Sequence, residues 1–209
     1  MKSREQIDFI RHGQSEHNLI PGILGGRTPE IELSERGKQE ANQLSVDYPE
    51  LRPHTLLMSS PARRAIETAQ LGFPGREPIT DGRILEVSRG EHEGMFKQDV
   101  YTPEFVEELE RLGLDHKSPG GESLNDGADR MIEFIDDIGE KNSSAVVVGH
   151  SRAIKGLTAR LLGLTYHETE SGLKIPNASV TRVENNGRGW KIAFAGKPAH
   201  EVIAHDRKS

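Results

Sequence analysis

Short apolar runs alternate with amphipathic stretches along this chain, in the rhythm of an α/β protein. Ile7-Asp8-Phe9-Ile10 reads as a buried strand that stops abruptly at Arg11-His12-Gly13. A Gly- and Pro-rich loop from Leu19 to residue 29 follows, as such composition predicts. Ser34 is placed to cap a helix with Glu35 in its first turn, Ala41 and Leu44 on its buried stripe, and an end near Tyr48-Pro49. Residues 55–59 form a second short apolar strand, and Ser59-Ser60-Pro61 predicts a helix opening on proline. Ala62, Ala65, Ile66 and Ala69 then recur at the spacing of a packed helical face. Pro78-Ile79-Thr80 is a short third strand, and Gly82, Gly90 and Gly94 punctuate the loop after it.

Residues 103–113 predict a helix with Phe105, Val106, Leu109 and Leu112 on one side, broken by Ser118-Pro119-Gly120-Gly121. The clearest amphipathic helix runs over 122–141, apolar at Leu124, Ala128, Met131, Ile132, Ile135 and Ile138. Ala145-Val146-Val147-Val148 does not alternate, which suits a strand covered on both faces of a parallel sheet. Gly149-His150-Ser151-Arg152 leads into a helix with Ile154, Leu157, Leu161 and Leu162 inward. Two runs, 178–183 and 190–194, flank the turn-rich Asn185-Asn186-Gly187-Arg188-Gly189 as a hairpin would. The order β-α-β-α-β-α-α-β-α-β-β predicts one α/β domain over 1–209, a three-layer α/β/α sandwich. Its central sheet is mainly parallel, the closing hairpin requires at least one antiparallel strand, and about 198–209 is expected to be a polar, frayed tail.

Composition narrows the chemistry. A net charge of −6 argues against general nucleic-acid binding, which wants a basic face, so an anion site here must be a local basic pocket. With only 33% apolar residues and a mean hydropathy of −0.62, the core is economical. The absence of cysteine excludes disulfides, thiolate catalysis and cysteine-ligated metals. The opening Met1-Lys2-Ser3-Arg4 lacks a signal-peptide core and no run reaches the ~18 apolar residues of a membrane span, so a cytoplasmic protein without a membrane partner is expected. His200 and His205 lack helical i, i+4 spacing, and no metal site is expected.

Ligands of open α/β sheets collect where strands end at the carboxyl edge. There Arg11 suits a phosphate gripped bidentately, Gly13 allows close backbone approach, and His12 is a plausible nucleophile. By itself the Arg-His pair reads more simply as a strand ending at the surface. A second strand, however, ends the same way at Val148-Gly149-His150, the first turn after Ser59 carries Arg63 and Arg64, and Glu86 adds a carboxylate from a Gly-rich loop.

The motifs in this order resemble the histidine phosphatase superfamily, the phosphoglycerate mutase-like proteins, over nearly the whole chain. They are Arg11-His12-Gly13 with Ser15 and Asn18, Leu33-Ser34-Glu35-Arg36-Gly37 with Glu40-Ala41, Ser59-Ser60-Pro61 with Arg64-Ala65 and Thr68-Ala69, and Leu85-Glu86 with Glu93-Gly94. Pro119-Gly120-Gly121-Glu122-Ser123-Leu124, Val148-Gly149-His150 and Asn177-Ala178-Ser179-Val180 complete the set. The resemblance implies that His12 accepts the phosphoryl group, that Arg11, Arg64 and His150 bind it with Asn18 assisting and Ser15 beside them, and that Glu86 is the proton donor. These charges would stabilise a phosphoryl group in flight without metal or cofactor. His12 must be neutral to attack, which nearby cations favour; Glu86 must hold a proton, which partial burial favours.

Ser151-Arg152 stands where the family usually has a glycine after His150. Arg27, Arg89 and Arg152 are expected near the site, one or more of them reading a second anionic group on the substrate. The implied activity is phosphomonoester hydrolysis, with a small-molecule phosphate ester as partner and inorganic phosphate as product. A mutase is the alternative, disfavoured by the short segment between Glu86 and Glu122, and a non-catalytic phosphate-binding scaffold is a further one. The remaining histidines, His17, His54, His92, His116 and His167, fit no catalytic position and are expected at the surface or in loops.

Overall fold

The strand that opens the sequence lies inside the sheet, not at its edge. The structure, a computed structural model, describes residues 5–48, 51, 54–141 and 143–206. Pro49, the first four residues and the last three of the tail lie outside the described residues. Six strands stand in the order β3-β2-β4-β1-β5-β6: β1 (Glu5–Arg11), β2 (Leu56–Ser59), β3 (Ile79–Thr80), β4 (Ala145–Gly149), β5 (Val180–Asn185) and β6 (Trp190–Lys197). The first four run parallel, while β5 pairs antiparallel with both β1 and β6.

Helices cover both faces, giving the three layers. On one face α5 (Leu124–Glu140) and α6 (Ser151–Leu162) bury Met131, Phe134, Ile154 and Leu157 against Ile7, Phe9 and Val147. On the other, α1 (Glu35–Asp47), α2 (Arg63–Gly72) and α7 (Ala199–Asp206) bury Leu44, Ala65, Ala69 and Val202 against Ile10, Val146 and Val148. Alternate residues of β1 and β4 thus feed opposite cores, which is why β4 does not alternate apolar with polar. Two further helices, α3 (Lys97–Val100) and α4 (Pro103–Leu112), sit outside these layers, and α4 has no fully buried residue.

Several expectations need correction. Pro61 does not open α2; the helix starts at Arg63, with Ser60 and Pro61 in the preceding turn, where the Ser60 hydroxyl accepts from Ala62 N–H at 3.3 Å. Val106 is 38% exposed and Leu162 52% exposed, because α4 only skirts the core and α6 ends at Leu162 on a left-handed Gly163 (φ 68°). Ala199–Asp206 of the tail is helical, not irregular, since Ala199 and Val202 dock it onto the second core. Phe134, absent from the predicted stripe of α5, is fully buried, edge-on to Phe9.

A buried ion pair crosses this apolar interior. Asp8 on β1 receives both Nε and Nη2 of Arg182 on β5, at 2.7 and 2.8 Å, with both side chains buried. Tyr48 at the end of α1 donates its hydroxyl to the same carboxylate, and Phe194 lies 5.2 Å from the guanidinium. A buried pair of this kind is costly to break from one side. Asp8→Ala removes the carboxylate from a buried guanidinium and is expected to lower the free energy of urea unfolding by about 3–5 kcal/mol; a loss under about 1 kcal/mol would contradict this placement.

Candidate active site

Strand register brings the two histidines together. Arg11 of β1 pairs with Gly149 of β4, so His12 and His150, the next residue on each, leave the carboxyl edge side by side. Their ring centroids are 5.2 Å apart and the rings are tilted by 64°. Ser59 of the neighbouring β2 pairs with Val148, which sets Ser60 beside His150 and starts α2 with Arg64 facing the same edge. The segment before β5 closes the far side. Ala178 donates its N–H to the Arg11 carbonyl at 3.0 Å and takes a positive φ of 54°, rare for a residue with a Cβ, while Asn177 Nδ2 donates to the His12 carbonyl at 2.9 Å.

Hydrogen bonds select the tautomer of each imidazole. His12 Nδ1 lies 2.6 Å from the Gly13 carbonyl, which can only accept; Nδ1 therefore carries the proton and Nε2 keeps a lone pair. His150 is reversed. Its Nδ1 faces Arg64 Nη2, a donor, at 3.2 Å, so Nε2 carries the proton and donates to the Ser60 hydroxyl at 2.7 Å. Burial, then the charges of Arg64 and Arg11, hold His12 well below the ordinary imidazole value. Burial and then Arg64 do the same to His150. Both rings are neutral, and so is a nucleophile that must offer a lone pair.

The guanidiniums are held by carbonyls. Arg64, buried, donates to Thr28 O at 2.8 Å and Gly26 O at 3.0 Å. Arg11 donates to Ile175 O at 2.8 Å, and its buried Nε has no hydrogen-bond partner among the described residues. Carbonyls orient these cations without cancelling their charge. Ser15 and Asn18 sit on one turn, Asn18 Oδ1 accepting from Ser15 N–H at 3.0 Å and Oγ at 3.2 Å.

Glu86 reaches the site through the start of α6. Its Oε1 accepts from Val87 and Ala153 N–H at 2.9 and 3.0 Å, and its Oε2 accepts a longer bond from Arg152 N–H at 3.2 Å. Oε2 is thus the less occupied oxygen. These residues line one cavity of about 150 Å³ that takes in Arg11, His12, Arg64, Glu86 and Asn18 together.

The sequence profile of the histidine phosphatase superfamily (branch 1) matches residues 7–197. The chain belongs to that superfamily. It is similar to a glucosyl-3-phosphoglycerate phosphatase of Mycolicibacterium vanbaalenii, 30% identical over 76% of this chain and 75% of the relative. A 2,3-bisphosphoglycerate-dependent phosphoglycerate mutase of Chelativorans sp. is also 30% identical, over 77% and 82%. Among solved structures, a mycobacterial glucosyl-3-phosphoglycerate phosphatase in complex with VO3 matches with a TM-score of 0.77 at 27% identity, covering 92% of this chain and 99% of that one.

Within this superfamily member the three extra arginines part ways. Arg89 and Arg152 line the cavity. Arg27 is not among its lining residues: its Nε donates to the Glu86 carbonyl at 2.9 Å and its Nη2 pairs with Glu122. Gly13 also differs from expectation. Its N–H is taken by the Thr68 hydroxyl at 3.0 Å, and what demands glycine is contact with α1, where a Cβ at Gly13 would stand 2.5 Å from Gly37 O. His116 lies in a loop, as expected, but is buried and packed edge-on to Phe105. Sequence reasoning assigned no role to Ser60, Thr68 or Asn177, although all three stand in the quoted motifs, nor to His17, Ile23, Leu24 and Ile31, which complete the cavity wall.

Because the native imidazoles titrate below the roughly 6.5 of an unfolded chain, the unfolded state binds more protons just under that pH, and stability falls as pH drops through it. Unfolding free energy is expected to decrease from pH 7 to pH 5, and His12→Gln to shrink that decrease. Urea titrations giving parallel pH profiles for wild type and variant would contradict neutral burial of His12.

Proposed function

We propose that the protein is a metal-independent phosphomonoesterase that hydrolyses a small phosphate ester through a phosphohistidine on His12. The observation that carries this reading is the tautomer of His12. A proton fixed on Nδ1 by the Gly13 carbonyl leaves a nucleophilic Nε2, in a cavity that also contains Arg11 and Arg64, with the His150 ring packed edge-on against His12. In the first half-reaction the Nε2 lone pair attacks phosphorus, the P–O bond to the alcohol breaks, and Glu86 gives its proton from the lightly bonded Oε2 to the leaving oxygen. In the second, Glu86 takes a proton from water as the oxygen attacks phosphorus, the P–N bond breaks, and inorganic phosphate leaves. Arg11 and Arg64 meet the charge that spreads over the equatorial oxygens. His150 is assigned to the same oxygens, its Nε2–H passing from the Ser60 hydroxyl to the phosphoryl group on binding, with Asn18 and Ser15 at the rim of the pocket. Arg27 acts through Glu86, whose backbone it holds.

The printed names of relatives include both phosphatases and mutases. Hydrolysis is favoured by the small span between the Glu86 loop and α5, which folds as α3, α4 and short turns. Wild-type protein with EDTA present is expected to turn over p-nitrophenyl phosphate, to release inorganic phosphate from 3-phosphoglycerate without forming its isomer, and to yield an acid-labile phosphoprotein on quenching. His12→Ala should abolish turnover and adduct together, and Glu86→Gln should slow turnover by about 10²–10⁴-fold. Undiminished turnover by His12→Ala, isomer in place of phosphate, or a wild type inert across a broad ester panel would overturn this reading.

A further inference from the structure

The loop that carries Glu86 lies against the segment leading into α5, backbone on backbone. Glu122 donates its N–H to the Ser88 carbonyl at 2.9 Å, and Glu91 donates its N–H to the Pro119 carbonyl at 2.9 Å. A Cβ at Gly90, whose φ is 53°, would stand 2.0 Å from Pro119 O, and one at Gly121 would stand 2.8 Å from Ser88 O. The approach needs glycine on both sides. It brings the Glu122 carboxylate up to the acid-bearing loop.

Three donors converge on that carboxylate. Its Oε1 takes Arg27 Nη2, and its Oε2 accepts from Ser88 N–H and Arg130 Nη2, both at 3.2 Å. Each arginine has a second hold on the same stretch of chain. Arg27 Nε donates to the Glu86 carbonyl at 2.9 Å, and Arg130 Nη1 donates to the Arg83 carbonyl. One carboxylate, only 22% exposed, thus ties down the chain at Glu86 and on either side of it, through charge-assisted bonds. The grip on the phosphoryl group is held separately. Arg64 donates to the carbonyls of Gly26 and Thr28, and the Arg27 N–H between them is fixed by Glu93 Oε1 at 3.0 Å.

We infer that Glu122 is a positioning residue for the proton transfer. Without touching substrate, its carboxylate joins Arg27 and Arg130 into a clamp that holds Glu86 within reach of the leaving oxygen. The inference rests on the proposed reading of Glu86 as the proton donor. Glutamine at this position offers a single acceptor oxygen, so its amide N–H groups must face donors on one side, either Arg27 or Ser88 and Arg130. Loss of the charge therefore loosens the acid loop, while Glu93 keeps the turn under Arg64 in place.

Leaving groups of different basicity test this. The ratio kcat/KM covers the steps up to cleavage of the P–O bond, where an alkoxide needs a proton and p-nitrophenolate does not. Glu122→Gln and Arg130→Met are each expected to lower kcat/KM for 3-phosphoglycerate by at least about tenfold, and that for p-nitrophenyl phosphate by less than about threefold. Equal losses on the two esters, or no loss on either, would overturn the inference. Amide hydrogen exchange reads the same placement without turnover. The Ala153 N–H, bonded to Glu86 Oε1, should exchange at least about tenfold faster in both variants, with the Leu157 N–H deeper in α6 unchanged. Acceleration of both amides alike, or of neither, would also overturn it. An inert wild type in which the variants release only the Ala153 N–H would refute the proposed function and support the clamp; an active enzyme with equal losses would refute the clamp alone.

Discussion

Everything at this site depends on the parallel pairing of β1 with β4. With Arg11 opposite Gly149, and the His12 N–H donating to the Gly149 carbonyl at 2.9 Å, two residues 138 positions apart in sequence emerge at one point on the sheet edge. A shift of one residue would turn every side chain of a strand to the other face. It would carry Ile7 and Phe9 out of one core and Ile10 out of the other, so burial on both faces fixes the register. The Asp8–Arg182 pair ties β1 to its other neighbour in the same way. Fold stability and site geometry are thus set by one set of contacts.

The electrostatics follow from that placement. Two imidazoles and two guanidiniums are crowded into a largely buried site, and the imidazoles respond by staying neutral while carbonyls hold the arginines in place. Each ring is pinned by a partner of one kind only, an acceptor for His12 and a donor for His150, so the two adopt opposite tautomers. One exposes a lone pair on Nε2 and the other directs a lone pair at Arg64. In the proposed reaction a dianion would meet fixed donors and need little reorganisation of the protein, which is the main way phosphoryl transfer is accelerated.

Much of this was legible in the sequence because chemistry and periodicity coincided. The strands before His12 and His150, the helix bearing Arg64 and the closing hairpin all carry their own apolar pattern, and the layer architecture follows from their order. What was not legible depends on contacts between segments distant in sequence. Gly13 looked like a phosphate-binding glycine, yet the constraint comes from Gly37 across the loop, where a Cβ would stand 1.8 Å from the Gln14 carbonyl. Arg27, Arg89 and Arg152 looked equivalent until Glu122 claimed the first. The tail looked unstructured because only a few apolar positions, Ala199 and Val202 among them, dock it, too few for a periodic signal. Pro61 suggested a helix start, but the chain first places Ser60, three residues before α2, against His150.

The central claim is that His12 Nε2 and His150 face one tetrahedral anion between two arginines. A crystal structure of the protein soaked with orthovanadate tests it directly. The account predicts vanadium bonded to His12 Nε2, with its oxygens contacted by Arg11, Arg64 and His150. Vanadate bound elsewhere, or a His12 ring turned so that Nδ1 faces the metal, would contradict it.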